Sequence, residues 1–215
     1  MNRYNFIAIE GNIGAGKTTL ATNIASDFNA RLILEEFADN SFLPKFYAEP
    51  DKYAFPLELS FLAERYQQLK TELGRQDLFK PQIVSDYYFL KCLIFAKANL
   101  HEDEFSLYAK LFHIINDSLP KPDLFVYLYH SIERLQENIK KRGRSYEQNI
   151  SDDYLIKIQT AYFDFIKQVG DLRVLIIDVN TIDFANNPKD YKQITELINQ
   201  PYDKGITRIT ASNGL

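Results

Sequence analysis

Residues 6–25, FIAIEGNIGAGKTTLATNIA, run from an apolar stretch through three glycines in six positions into a helix-like segment. A loop this rich in glycine is costly to order, so a strand joined to a helix through it implies that the turn wraps around something. It also starts an alternation. Short apolar runs recur at 5–10, 31–36, 82–86, 123–130 and 172–179. They are rich in Ile, Val, Leu and Phe without strict alternation, as strands covered on both faces are. Helical patterns lie between them. Leu62, Tyr66, Leu69 and Leu73 form one apolar stripe, and Leu107, Leu111, Ile114, Ile115 and Leu119 another. Ser131 and Ser151 stand as N-caps, each with acidic residues following, and Gly143 as a C-cap. The second of these capped helices carries Leu155, Ile158, Tyr162, Phe165 and Val169 on one face. Such alternation predicts an α/β fold around a parallel sheet of five strands flanked by helices.

The loop Gly11-Asn12-Ile13-Gly14-Ala15-Gly16-Lys17-Thr18 fits G-x-x-x-x-G-K-[ST]. Glycines let successive N–H groups converge on one anion, and the following helix adds its positive dipole end. Lys17 supplies a point charge to the β- and γ-phosphates, and the Thr18 hydroxyl can ligate Mg²⁺. A chance glycine turn with an exposed lysine is the bland alternative, and the flanking strand and helix count against it. Residues 11–19, through Thr19, are thus expected to bind ATP with Mg²⁺ in a P-loop NTPase-type fold.

Four segments extend the reading: GNIGAGKTT, LEEFADNSFLPKFYAEPDKYAF, VSDYY and KKRGRSYEQ. Together they resemble the deoxynucleoside kinase family over most of the chain. The resemblance implies transfer of the ATP γ-phosphoryl to a deoxynucleoside 5′-hydroxyl. It implies that Glu35, in preference to the adjacent Glu36, is the general base. Glu36 stands where the family usually has proline. It implies that Tyr47 and Glu147 hold the sugar 3′-hydroxyl, although Tyr47 also reads as a half-buried core aromatic. Glu58 and Arg65 lie on one side of a helix, about 10 Å apart along its axis, a spacing that suits two groups lining one pocket. The family usually reads the nucleobase with glutamine at the Glu58 position. An ionised glutamate only accepts, which matches the two adjacent donors of guanine, so a purine is expected, deoxyguanosine ahead of deoxyadenosine.

Asp86 ends a Walker-B-like strand and is expected to hold Mg²⁺ with Thr18. The family shows an acid-Arg-Ser triplet here, whereas this chain has Asp86-Tyr87-Tyr88. Either another cation, with Arg65 a candidate, replaces the missing arginine, or activity is weak or altered. Arg142 and Arg144 form an R-x-R pair in a short lid near 140–150 that would close over the phosphates. With Lys17 and Glu35 they make up the expected catalytic set.

The formal net charge of −4 argues against nucleic acid as a partner. The single cysteine, Cys92, allows no intrachain disulfide and reads as a small buried hydrophobe in a reducing compartment. MNRYNF lacks an apolar signal core and no run approaches membrane-spanning length, so a cytoplasmic protein is expected. His101, His113 and His130 show no ligand spacing. One domain is expected over 1–205, with a polar, partly disordered tail at 206–215. Family members are typically homodimers through a helical face, which the apolar stripes permit. Two rival functions remain: a nucleoside monophosphate kinase, and a non-catalytic nucleotide-binding subunit.

Overall fold

The first apolar run forms β1 (Phe6–Gly11), buried along its whole length at the centre of the molecule. The computed structural model describes residues 3–36, 40–75, 77 and 79–212. After β1 come α1 (Lys17–Asp27), β2 (Arg31–Ile33), α2 (Leu43–Ala48), α3 (Pro50–Gly74), β3 (Ile83–Ser85), α4 (Leu90–Asn99) and α5 (Glu102–Asn116). β4 (Leu124–Tyr129), α6 (Ile132–Arg142), a single 3-10 turn (Ser145–Glu147), α7 (Asp152–Ile166), β5 (Arg173–Asp178), α8 (Pro188–Ile198) and β6 (Gly205–Thr210) complete it.

The sheet has the order β2-β3-β1-β4-β5-β6, and every pairing is parallel. β1 lies between β3 and β4, so the chain leaves it first toward one edge and later returns to the other. In open α/β sheets ligands bind at the carboxyl ends of strands at such a switch point. The loop after β1 sits there.

The sheet has six strands where the sequence predicts five. The segment expected to be a polar tail from 206 contributes the sixth. GITRIT pairs residue by residue with Arg173–Asp178, Gly205 opposite Arg173 and Thr210 opposite Asp178. Its side chains alternate between half-buried and exposed, the signature of an edge strand with one face on solvent. Residues 213–215 lie outside the described residues.

Two large apolar clusters sandwich the sheet. One packs α1, α6 and α8 against one face, with Leu20, Ile24, Leu135 and Ile194 fully buried. The other packs α3, α4, α5 and α7 on the opposite face, with Leu69, Cys92, Phe112 and Tyr162. Ser131 and Ser151 cap α6 and α7, their hydroxyls accepting from the amides of Arg134 (3.3 Å) and Tyr154 (3.2 Å). Gly143 ends α6 in the left-handed conformation, φ +74°.

The expected stripe on α5 is corrected. Leu107, Leu111 and Ile114 face outward and are exposed, while Tyr108, Phe112 and Leu119 are buried. The helix has two apolar faces, and its neighbours cover the aromatic one. Among the described residues no helix is long and apolar enough to cross a membrane.

Candidate active site

The glycines of the loop are required by geometry. Gly14 and Gly16 both have φ +83°, a conformation that side chains resist. A Cβ on Gly14 would stand 2.8 Å from the Leu135 carbonyl oxygen, and one on Gly16 2.8 Å from Cζ of Phe184. No side chain caps the N-terminus of α1, so its first amides are directed at the loop's mouth. Lys17 folds over the loop, Nζ donating to the carbonyls of Gly11 (3.0 Å) and Asn12 (2.8 Å). Burial, reinforced by the Lys91 ammonium, pulls the Lys17 amine down to about 8 against the attraction of Glu10, Glu35 and Asp86.

Thr18 Oγ1 lies 2.6 Å from Asp86 Oδ2, and the other Asp86 oxygen accepts from the Glu35 amide at 2.7 Å. A hydroxyl and a carboxylate oxygen this close, beside a phosphate cradle, are the hard donors that Mg²⁺ combines with substrate phosphates. The same amide contact ties the segment after β2 to the segment after β3.

Glu35 stands two residues beyond β2, not within it as the apolar run 31–36 predicts, because the strand pairs only as far as Ile33. Its side chain turns into the cleft, whereas Glu36 is exposed. Oε1 receives Nε of Arg65 at 2.9 Å and an Nη of the same guanidinium at 2.7 Å; Oε2 receives Lys91 Nζ at 2.6 Å. Burial pushes the carboxyl up, but Lys91 and Arg65 more than offset it and hold it at about 2. The lone-pair count is informative: two donors fill Oε1, and Oε2 can accept one more.

α3 brings Glu58 and Arg65 to the same wall without pairing them. Arg65 is committed to Glu35, lies over the Phe61 ring at 4.4 Å and donates to the Cys92 sulfur at 3.4 Å. Glu58 is buried, with Oε1 accepting from Asn99 Nδ2 at 2.6 Å. Its other oxygen is buried without a partner among the described residues. Burial raises this carboxyl to about 7, against the opposing pull of Arg65, Asn99 and Lys91.

The lid forms where α6 ends. Glu147, on the turn beyond it, accepts from both Arg142 and Arg144, the latter at 3.2 Å. Tyr146 stacks on Tyr47 of α2, ring centroids 6.0 Å apart. Thus Lys17, Thr18, Glu35, Tyr47, Glu58, Arg65, Asp86, Arg142, Arg144 and Glu147 all line one cavity. A second depression on the far side of the loop is lined by Gly16, Thr19, His130, Arg134, Phe184 and Asn186, with both lid arginines shared between the two. The two depressions meet at Lys17 and Thr18, which line both.

A family model described as deoxynucleoside kinase matches residues 7–202. The chain belongs to the deoxynucleoside kinase family. It is 40% identical over 199 residues to the deoxyguanosine kinase of Bacillus subtilis, covering 90% of this chain and 96% of that one. It is 34% identical to the deoxyadenosine kinase of Dictyostelium discoideum, over 92% and 79% of the two chains. Among solved structures, a deoxyadenosine kinase from M. mycoides with bound dATP superposes with a TM-score of 0.78 at 26% identity, covering 91% of this chain and 99% of that one. The activity is the ATP-dependent phosphorylation of a deoxynucleoside.

Three polar residues of this deoxynucleoside kinase, Lys91, Glu10 and Asn99, escape the sequence reading. Lys91, in the first turn of α4, supplies a second cation to Glu35 beside Arg65. Its signal is a lone lysine inside the apolar run YYFLKCLIFA. Tyr87 takes no part in charge: its hydroxyl donates to Gln68 Oε1, and Gln68 Nε2 donates to the Leu34 carbonyl at 2.9 Å. Glu10 is buried at the end of β1, accepting from the Tyr88 amide and the Tyr162 hydroxyl, both at 2.8 Å. An acid in an otherwise apolar strand, just before the first glycine, is its signal. Asn99 closes α4 and has no signal in the sequence. Residues 37–39 of LEEFADN lie outside the described residues.

Proposed function

We propose that this kinase acts on purine deoxynucleosides, deoxyguanosine ahead of deoxyadenosine. The carrying observation is Glu58: a carboxylate buried in the acceptor cavity, one oxygen free, with Arg65 turned away to Glu35. An acceptor without a paired cation suits the adjacent N1–H and 2-amino donors of guanine.

Glu35 takes the 5′-hydroxyl proton at Oε2, the oxygen with room for one more donor. Its low basicity suits a proton that leaves late, when the new P–O bond has made the hydroxyl acidic. Lys17, Arg142 and Arg144 neutralise the phosphates, and Tyr47 with Glu147 holds the sugar edge. Thr18 and Asp86 would hold Mg²⁺, which would neutralise phosphate charge when bound. Lys91 and Arg65 together supply the positive charge absent at Tyr87. This argues against a non-catalytic subunit. A nucleoside monophosphate kinase needs cations for the acceptor's phosphate, whereas in this cavity Arg65 and Lys91 are bonded to Glu35, and Arg142 and Arg144 to Glu147. The exposed Leu107, Leu111 and Ile114 on α5 give a homodimer its apolar face. A single unpaired cysteine fits a cytoplasmic setting.

The test is product formation from Mg-ATP with each of the four deoxynucleosides, using dimeric protein sized in solution and Glu35→Gln as control. Purines should be phosphorylated, and the control should fall by roughly a hundred- to ten-thousand-fold, the contribution of a positioned base. Preference for thymidine or deoxycytidine would sink the purine reading; a fully active control would sink the role of Glu35.

A further inference from the structure

Glu58 and Asn99 come from different helices, α3 and α4, and meet inside the acceptor cavity. Asn99 Nδ2 donates to Glu58 Oε1 at 2.6 Å, and Oε2 is buried with no partner among the described residues. The amide therefore fixes which oxygen is spent and which is left for a ligand. It is the one side chain among the described residues hydrogen-bonded to this carboxylate.

The two states of a carboxyl recognise different purines. An ionised one accepts only, and meets the N1–H and 2-amino donors of guanine. A protonated one donates as well, and meets the N1 acceptor and 6-amino donor of adenine. We propose that Asn99 is a specificity-determining residue that aims Glu58 at the base and keeps it acceptor-only, so setting guanine over adenine. The proposal rests on the purine reading above and adds the residue that enforces it.

The surroundings make that donor decisive. Burial drives Glu58 toward its neutral form, to about 7. Arg65 on α3 and Lys91 on α4 oppose this from a distance, and Glu35 after β2 works against them. The remaining titratable neighbours are Cys92 on α4, Tyr47 on α2, Tyr108 on α5 and Tyr154 on α7. Each is an uncharged thiol or phenol, and Tyr108 gives its hydroxyl to the Glu58 backbone carbonyl, not to the carboxylate (3.3 Å). Asn99 alone donates to the charged oxygen, and hydrogen bonding to the charged form favours it.

The experiment measures kcat/KM for deoxyguanosine and deoxyadenosine from pH 6 to pH 9 in the wild type, Asn99→Ala and Asn99→Asp. In the wild type the guanine-to-adenine ratio should rise with pH as Glu58 ionises. In Asn99→Ala the rise should move to higher pH. The ratio near neutrality should fall about tenfold, the worth of one hydrogen bond to a charged group, chiefly through KM. At the alkaline end it should recover. Asn99→Asp keeps the shape and puts a second carboxylate beside Glu58, so the pair shares a proton and the preference should turn to adenine. This variant decides the matter if the alanine chain does not fold. A wild-type guanine preference that survives both substitutions with its pH midpoint unmoved would overturn the role of Asn99 and leave the purine reading standing. Equal loss of both activities at every pH would assign Asn99 to structure alone and overturn it as well. A wild type with no guanine preference at any pH overturns the ordering of deoxyguanosine ahead of deoxyadenosine, and the role of Asn99 with it.

Discussion

The wall of the cleft proposed for the phosphate donor is built from backbone: a loop held open by Gly14 and Gly16 at positive φ, closed behind by Leu135 and Phe184, leading into uncapped helix amides. The acceptor wall is built from side chains gathered from α2, α3, α4 and the segments after β2 and β3, with Glu35 held between Arg65 and Lys91. The first wall needs space for the main chain and tolerates few added atoms. The second needs charges that balance, and its weak point is the loss of any one of them. Damage should therefore look different on the two sides.

Gly16→Ala is the largest expected effect. Left-handed strain of about 1–2 kcal/mol and overpacking of about 1–3 kcal/mol against Phe184 act together. Mg-ATP affinity, followed by calorimetry, should fall by more than roughly a hundredfold while deoxynucleoside binding survives. Unchanged ATP binding would mean that the donor wall does not depend on its backbone shape.

Lys91→Met comes next. Breaking a buried pair costs about 3–5 kcal/mol, but Arg65 still holds the other oxygen, so the loss should be nearer 2–3 kcal/mol, roughly a hundredfold in kcat. Lys91→Arg should recover part of it, and nucleotide affinity should hardly move. If kcat were unchanged, the missing arginine would have to be replaced elsewhere.

Tyr87→Phe is the smallest. It removes one hydroxyl–amide hydrogen bond to Gln68, worth about 1 kcal/mol, and should lower the melting temperature by about 2–4 °C with kcat nearly intact. A large loss of kcat would show that Tyr87 acts in the chemistry.

The same contrast explains what could be read in the sequence. A site built from backbone needs glycines at fixed offsets, so Gly11 to Thr18 declare it without help. A site built from side chains has no such grammar, and Glu35, Tyr47, Glu58 and Glu147 were visible only through resemblance to a family. Asn99 has no signal in the sequence, and that of Lys91 is ambiguous. Lys91 sits in an apolar helix where a lysine reads as a surface residue, and nothing before folding sets Asn99 opposite Glu58. β6 was missed because GITRIT, short and half polar, matches an edge strand and an unstructured tail equally well. α5 carries two apolar faces that sequence periodicity does not rank, and only packing shows that Tyr108 and Phe112 are the inner ones.

The bridge from Tyr87 through Gln68 to the Leu34 carbonyl bears on how this site can change over generations. Tyr87 is buried beside a carboxylate that already answers two cations. Placing arginine there alone would enclose a third positive charge beside Glu35 and leave Gln68 Oε1 without its donor. Removing Lys91 alone would strip the base of support. Each single step passes through a weakened enzyme, so positions 87 and 91 form a linked pair, and an exchange of charge between them is tolerated only when both change together.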